Sequence, residues 1–237
     1  MACLISFLPP AMAEASRPRR RTTAPAAGER SPLAPARPNA QPYRRGVERI
    51  NAILDAAEQI LVTDGYEAAT LKAAGERAGI PTASIYHYFS DRHQVDAELM
   101  RRHVDNLRRL LDGIFEDDPP TTLEGAVAVV VDLMLTYFRE HPSCVELWFA
   151  RRSDSLEGLV RAYDEAMAER LWHFARAHGL LRPDTPLLVV ELAFEAGNRL
   201  FDAAFRVAPT TGDEVVLAEQ RRLLAAYLRT YAPNPSA

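Results

Sequence analysis

Residues 70–89 read TLKAAGERAGIPTASIYHYF, and this stretch decides the fold. Thr70 is a preferred N-cap residue, and it precedes a short helical pattern over residues 71–78 whose apolar positions recur three and four residues apart. Gly79 then predicts the end of that helix, and Pro81 suits the first turn of another. Two helices joined by a short turn containing Gly form a helix-turn-helix, whose second helix enters the major groove of DNA.

The second helix presents two different faces. Ile85 and Phe89 lie four residues apart on one face, so we expect them to be buried and the other face to meet DNA. Tyr86 belongs to the DNA face if it is exposed and to the core if it is buried. Arg92 lies in the first turn of the next helix, where the helix dipole disfavours a cation, so we expect a phosphate partner. The residues expected to contact bases, sugars or phosphates are Thr70, Lys72, Thr82, Ala83, Ser84, Tyr86, His87 and Arg92.

Residues 50–96, INAILDAAEQILVTDGYEAATLKAAGERAGIPTASIYHYFSDRHQVD, closely resemble the DNA-binding domain of TetR-family transcriptional repressors. The matching features are Ala56, Ala57 and Leu61 in the first helix, Gly65 and Tyr66 after it, Thr70, the turn 78–80 and the run 84–89. The resemblance implies an all-α protein with an N-terminal three-helix DNA-binding domain and a C-terminal helical domain for ligand binding and dimerisation. It also implies a small-molecule pocket whose occupancy separates two DNA-binding heads.

Charge is distributed unevenly along the 237 residues, which carry a formal net charge of −4. Residues 1–46 hold eight basic and two acidic residues, whereas residues 47–92 hold four basic and seven acidic ones. DNA affinity must therefore come from locally placed cations and not from a global positive field.

Three regions follow from composition. Residues 1–43 contain eight prolines and no apolar period, which predicts a disordered basic arm. A signal peptide would need a longer apolar run than the first residues provide, so we do not predict one. We expect translation to start at Met1 or at Met12. We expect a helix-turn-helix domain over residues 44–92, with the motif at 71–90, and a helical ligand-binding and dimerisation domain over 93–237.

The last two predicted helices, about 186–207 and 213–231, have apolar faces wider than packing within one subunit requires. This width predicts a homodimer formed through both helices, as in the resembling family; the alternative is that both are buried within their own domain. The residues expected at the interface are Ala193, Gly197, Ala204, Leu223 and Tyr227.

Aromatic side chains in the C-terminal half are candidates for the walls of the pocket, with one polar residue to orient a ligand. The candidates are Phe138, Trp148, Phe149, Trp172, Phe194 and Asn198, and for each of them packing in the core is the favoured alternative. The chemical class of the effector cannot be read from them.

No phosphate-binding loop, nucleophile elbow or metal-ligand spacing occurs in the sequence, so we predict neither an enzyme nor a cofactor. No run is apolar over the length that a membrane span needs, and the two cysteines suit a reducing cytoplasm. The sequence predicts a cytoplasmic homodimeric repressor that binds a palindromic operator and is released by a small molecule. The alternative is a helical interaction protein that has lost specific DNA binding, because the head is acidic and Thr82 stands where the family commonly has Lys or Arg.

Overall fold

The structure is a computed structural model that describes residues 40–149 and 154–234. The described residues form helices without any strand, which confirms the all-α prediction. The helices are α1 (Ala40–Asp64), α2 (Leu71–Arg77), α3 (Thr82–Ile85), α4 (Arg92–Asp117), α5 (Leu123–Glu140), α6 (Pro142–Phe149), α7 (Asp154–Ala177), α8 (Leu187–Val207) and α9 (Glu214–Arg229). A 3-10 turn at Tyr66–Ala68 lies between α1 and α2.

Helix α1 begins earlier than the hydrophobic pattern predicts. The apolar period starts near Val47, whereas the helix starts at Ala40 and so includes the last residues of the predicted disordered arm. Pro42 is compatible with this start because it lies in the first turn, where a backbone N–H has no partner within the helix. Residues 1–39 lie outside the described part of the chain.

The N-terminal head, formed by α1 to α3, is built on the buried face of α1. Leu54, Ala57 and Leu61 of α1 are almost fully buried. They belong to one apolar cluster with Ala74 of α2 and Ile85 of α3, as the residue spacing predicts. This packing leaves the opposite side of α3 free.

Local signals end and begin the two motif helices as expected. The hydroxyl of Thr70 accepts a hydrogen bond from the backbone N–H of Ala73 at 3.1 Å, which caps α2. Gly79 has a φ of +66°, a conformation that other residues rarely adopt, and it turns the chain out of α2. α3 is shorter than predicted, but the backbone N–H of Phe89 still bonds to the carbonyl of Ile85 at 3.0 Å, so a further turn continues to Phe89.

Close contact between α2 and α3 depends on Gly75. A Cβ atom at this position would lie 2.9 Å from Cδ1 of Ile85 and 3.2 Å from the carbonyl oxygen of Ile80. Both distances are shorter than normal contacts, and Ile85 is fully buried, so its side chain has little room to move. A side chain at position 75 would therefore force Ile85 or the backbone at Ile80 to shift.

We expect Gly75→Ala to destabilise the protein by about 1 kcal/mol, because overpacking outweighs the better helix propensity of Ala. Gly113→Ala in α4 is the matched control, since a Cβ there meets nothing within 4 Å. It should stabilise the protein by up to about 1 kcal/mol. Chemical denaturation of both variants measures the difference, and equal effects at the two glycines would contradict the close approach.

Helix α4 connects the head with the C-terminal body. Its N-cap is Asp91, whose carboxylate accepts a hydrogen bond from the backbone N–H of Gln94 at 3.1 Å. The hydroxyl of Ser90 donates a hydrogen bond to Asp91. Within the body, α4 packs against α5, α6 and α7, and α8 packs against α7 and α9. A single helix therefore runs from the head into the core of the body.

Candidate nucleic-acid interface and internal cavity

The outward side of α3 and its following turn is a contiguous exposed surface. Thr82, Ala83 and His87 are exposed, and Tyr86 is 58% exposed, so Tyr86 does not belong to the core. Ser84 is half-buried at the edge of the same surface. The surface offers hydroxyl groups, a methyl group and an imidazole, which are groups able to contact base edges and phosphates.

Lys72 and Thr70 lie at the start of α2, and both are exposed. The Lys72 ammonium is 3.8 Å from a carboxylate oxygen of Glu76, one turn further along the helix. An exposed pair of this kind contributes at most about 1 kcal/mol. Lys72 can therefore exchange this partner for a phosphate at little cost.

Arg92 is turned into the protein, which corrects the predicted phosphate contact. Its guanidinium carbon lies 3.5 Å from the centre of the Tyr66 ring, and its Nη2 donates to the Tyr66 carbonyl. Its Nε is 3.6 Å from the carboxylate of Asp96, and the side chain is only 21% exposed. The unfavourable position of this cation at a helix N-terminus is thus compensated by Tyr66 and Asp96 inside the protein.

Tyr66 and Asp96 complete a partly buried cluster with Arg92. The Tyr66 hydroxyl donates to the Asp96 carboxylate at 2.8 Å. Burial, followed by this carboxylate, raises the pKa of Tyr66 to about 12. Burial also raises the pKa of Asp96, although Tyr66 and Arg92 oppose that shift. Because the Tyr66 backbone N–H also donates to Glu146 of α6 at 3.2 Å, the cluster joins the head to the body.

A second polar cluster, centred on His103, crosses the junction between head and body. Nδ1 of His103 is 2.9 Å from the Tyr137 hydroxyl, and its Nε2 is 3.3 Å from the hydroxyl of Ser143. Ser143 donates in turn to Glu58 of α1 at 3.0 Å. Burial, with smaller contributions from His141 and Arg102, lowers the pKa of His103 to about 4. The cluster therefore holds a neutral imidazole.

Sequence reasoning missed both clusters, although a signal was present. Asp96 and His103 are seven residues apart on α4 and share a face with the buried Leu99, Val104 and Leu107. Polar residues on an apolar helix face need buried partners. The partners themselves come from the 3-10 turn at Tyr66–Ala68 and from α1, α5 and α6, and they are not visible in the spacing.

A cavity of about 120 Å³, partly open to solvent, lies in the body between α4, α5, α7, α8 and α9. Its walls are mostly apolar, and two of the predicted ligand-binding residues, Phe194 and Asn198, line it. Gln220 of α9 also lines it, and the buried Oε1 of this residue has no hydrogen-bond partner among the described residues. An unpaired buried acceptor costs about 1–3 kcal/mol, so this oxygen marks a place for a donor.

The other four predicted ligand-binding residues do not line this cavity. Phe138 and Trp148 are core residues with ring centres 5.4 Å apart, and Trp148 donates to Asp202 at 2.9 Å. Phe149 is 44% exposed and stacks on Phe205. Trp172 donates to the Thr185 carbonyl at 2.8 Å. Their aromatic character serves packing, which was the open alternative for each of them.

The predicted small residues of the dimer interface are buried within the subunit. Ala193, Gly197 and Ala204 all belong to the buried face of α8. A Cβ atom on Gly197 would lie 3.4 Å from Leu224 of α9, which is an ordinary contact distance, so Gly197 faces α9 of the same chain. The exposed side of α8 carries larger apolar residues instead, and Leu223 of α9 is also exposed, whereas Tyr227 is half-buried.

Two further features limit the chemistry of the described residues. No group of three or more His, Cys, Asp or Glu side chains within residues 40–149 and 154–234 is placed to hold a metal ion. Over the same residues, no helix combines the length and the apolar character needed to cross a membrane.

Comparisons with known proteins agree with this architecture. The family model described as "Bacterial regulatory proteins, tetR family" matches residues 53–98, and the model "Tetracyclin repressor-like, C-terminal domain" matches residues 122–228. A solved TetR-family transcriptional regulator from Streptomyces coelicolor is 29% identical, with a TM-score of 0.60, and the alignment covers 77% of this chain and 99% of that one.

Two curated relatives match over different lengths. The HTH-type transcriptional repressor AcnR of Corynebacterium diphtheriae is 27% identical over 160 residues, which cover 62% of this chain and 75% of AcnR. The HTH-type transcriptional activator FasR of Mycolicibacterium smegmatis is 37% identical over 60 residues, which cover 25% of this chain and 27% of FasR. The chain thus spans only about a quarter of the length of FasR.

The fold, the helix-turn-helix and these matches define a bacterial regulatory protein of the helix-turn-helix class. The chain belongs to the TetR family of transcriptional regulators. The family and the matched relatives are regulators and not enzymes, which confirms the prediction of no enzymatic activity.

Proposed function

We propose that the protein is a homodimeric transcriptional repressor that binds a palindromic operator and is released by a small molecule. The observation that carries this proposal is the exposed surface of Thr82, Ala83, Tyr86 and His87 on a motif whose other face is buried. Two such heads would fit half-sites about one helical turn, roughly 34 to 36 Å, apart. Repression is favoured because the longer curated match is to a repressor. Operator binding implies a cytoplasmic protein.

Exposed apolar residues on the outer face of α8 support dimerisation. Leu188, Leu192 and Val207 are each at least half exposed, and Leu188 and Leu192 are one turn apart. Val215 and Leu223 add exposed apolar surface on α9. Exposed apolar residues on two helices that pack together are typical of an interface between subunits. We propose this outer face in place of the buried line of small residues.

Helix α4 gives a physical route from cavity to head. Leu107 and Leu111 of α4 line the cavity, while Arg92 and Asp96 at its other end hold Tyr66 of the head. A ligand that binds more tightly when α4 occupies one of two positions would favour that position. The distance between the two heads would change with it. Control of DNA binding by an effector requires only this differential affinity.

The alternative is an interaction protein with the same fold and no specific DNA binding. It draws support from the net charge of residues 47–92, which is −3, and from Thr82 at a position that is basic in the common family pattern. Fluorescence anisotropy with the intergenic DNA upstream of the protein's own gene separates the two functions. Saturable binding at low salt that resists unrelated competitor DNA supports the repressor, whereas no binding supports the alternative.

Salt dependence tests the corrected roles of the two cations. Lys72→Ala should flatten the slope of log affinity against log salt by about 1.8 units, because a dimer loses two phosphate contacts worth roughly 0.9 each. Arg92→Ala should leave this slope unchanged and lower the free energy of unfolding by about 2 kcal/mol, since it removes the contacts with Tyr66. A flattened slope for Arg92→Ala would restore Arg92 as a phosphate ligand.

A further inference from the structure

One end of the cavity is built from hydrogen-bond acceptors. Gln220 is only 4% exposed, and its Nε2 donates to the carbonyl of Gly197 at 2.9 Å. A carbonyl accepts hydrogen bonds and cannot donate them, so the amide nitrogen must face Gly197 and the oxygen must point elsewhere. That oxygen is buried and has no partner among the described residues.

Asn198 and Asp164 continue the same polar end. Nδ2 of Asn198 donates to the Asp164 carboxylate at 2.9 Å, and both residues line the cavity with Gln220. Because a carboxylate only accepts hydrogen bonds, the nitrogen of the Asn198 amide must face Asp164, just as the nitrogen of the Gln220 amide faces Gly197. Lys, Arg and His are absent from the described residues that line the cavity. The polar groups there are thus suited to a donor and unsuited to an anion.

The remaining walls are apolar and define the size of the ligand. They include Leu107, Val131, Met134, Leu171 and Phe194, so most of a bound molecule would contact hydrocarbon. The volume of about 120 Å³ is of the same order as an engineered apolar cavity of roughly 150 Å³ that binds benzene. A single ring with one polar substituent matches this space.

We propose that the effector is an uncharged, ring-sized molecule whose hydroxyl or amine group donates a hydrogen bond to Oε1 of Gln220. This inference rests on the proposed function, because it takes the cavity as the effector site. Gln220 belongs to α9, and its amide already contacts α8. A ligand held by Gln220 therefore acts on both helices of the proposed dimer interface as well as on α4.

Calorimetry with three probes on the full chain tests the class of ligand. Phenol and toluene have almost the same shape, but only phenol carries a donor; benzoate carries a negative charge and no donor. We expect phenol to bind at least about tenfold more tightly than toluene, and benzoate to bind more weakly than phenol by at least the same factor. Gln220→Leu should bring the phenol and toluene affinities to within about twofold of each other.

Gln59→Leu is the matched control, because it makes the same chemical change at an exposed position of α1 away from this cavity. It should keep the full preference for phenol. The probe comparison on the unaltered protein remains decisive even if Gln220→Leu does not fold. Equal binding of toluene, tighter binding of benzoate or no binding of any probe would overturn the inference.

DNA binding in the absence of any probe reports on the proposed function separately. If the protein binds its upstream DNA but does not prefer phenol, the ligand class is wrong and the repressor function stands. If it prefers phenol and fails to bind DNA, the cavity assignment holds and the repressor function is wrong. The two failures are therefore distinguishable in one set of samples.

Discussion

Replacing Leu192 with Glu is expected to convert the proposed dimer to a monomer and to weaken operator binding at least about 100-fold. Leu192 is 50% exposed on the outer face of α8, one turn from the exposed Leu188, and twofold symmetry would place two copies of the new charge in one interface. Burying unpaired carboxylates is strongly unfavourable. A monomer also loses the effective concentration that joins two heads on one operator, which is commonly worth about 10²- to 10⁴-fold. Sedimentation and fluorescence anisotropy measure the two effects.

Leu110→Glu is the matched control for this variant. Leu110 is 49% exposed on α4, so the substitution introduces the same charge at the same exposure away from α8 and α9. We expect it to remain dimeric with unchanged DNA affinity. A dimer that survives Leu192→Glu and dissociates with Leu110→Glu would move the interface from α8 to α4.

The helix-turn-helix was predictable because its signals are local. The Thr70 cap, Gly79 and the buried Ile85 each depend on neighbours within a few residues, and the structure agrees at all three. Residue spacing also separated the two faces of α3. Even the close approach at Gly75 lies within ten residues of its partner Ile85.

Predictions failed where the partner of a side chain is distant in sequence. Spacing shows that Arg92 lies in a first turn, but only the fold shows that the chain brings Tyr66 beneath its guanidinium. Gly197 of α8 faces another helix, as expected, but that helix is α9 of the same chain. Aromatic residues share the same ambiguity, since Phe138 and Phe194 look alike in sequence and only Phe194 lines the cavity.

The neutral state of His103 should make the protein increasingly unstable as the pH falls from about 6.5 to about 4. An unfolded His has a pKa near 6.5, whereas burial lowers the pKa of His103 in the folded protein to about 4. Between these values the unfolded chain binds a proton that the folded protein does not. The contribution of His103 to stability is therefore complete above pH 6.5 and is lost as the pH falls toward 4, by about 3 kcal/mol in all.

His103→Gln removes this titration. Between pH 7 and pH 4 the free energy of unfolding of this variant should therefore fall by about 3 kcal/mol less than that of the unaltered protein. His173→Gln serves as the control, because it makes the same chemical change at an exposed position. Denaturant unfolding at a series of pH values measures all three proteins, and parallel curves for His103→Gln and the unaltered protein would contradict the assignment.

The contacts of His103 lie at the junction of head and body, because His103 contacts Tyr137 and Ser143, and Ser143 donates a hydrogen bond to Glu58 of α1. Protonation of one buried imidazole would thus loosen the junction through which we propose that an effector acts on the heads.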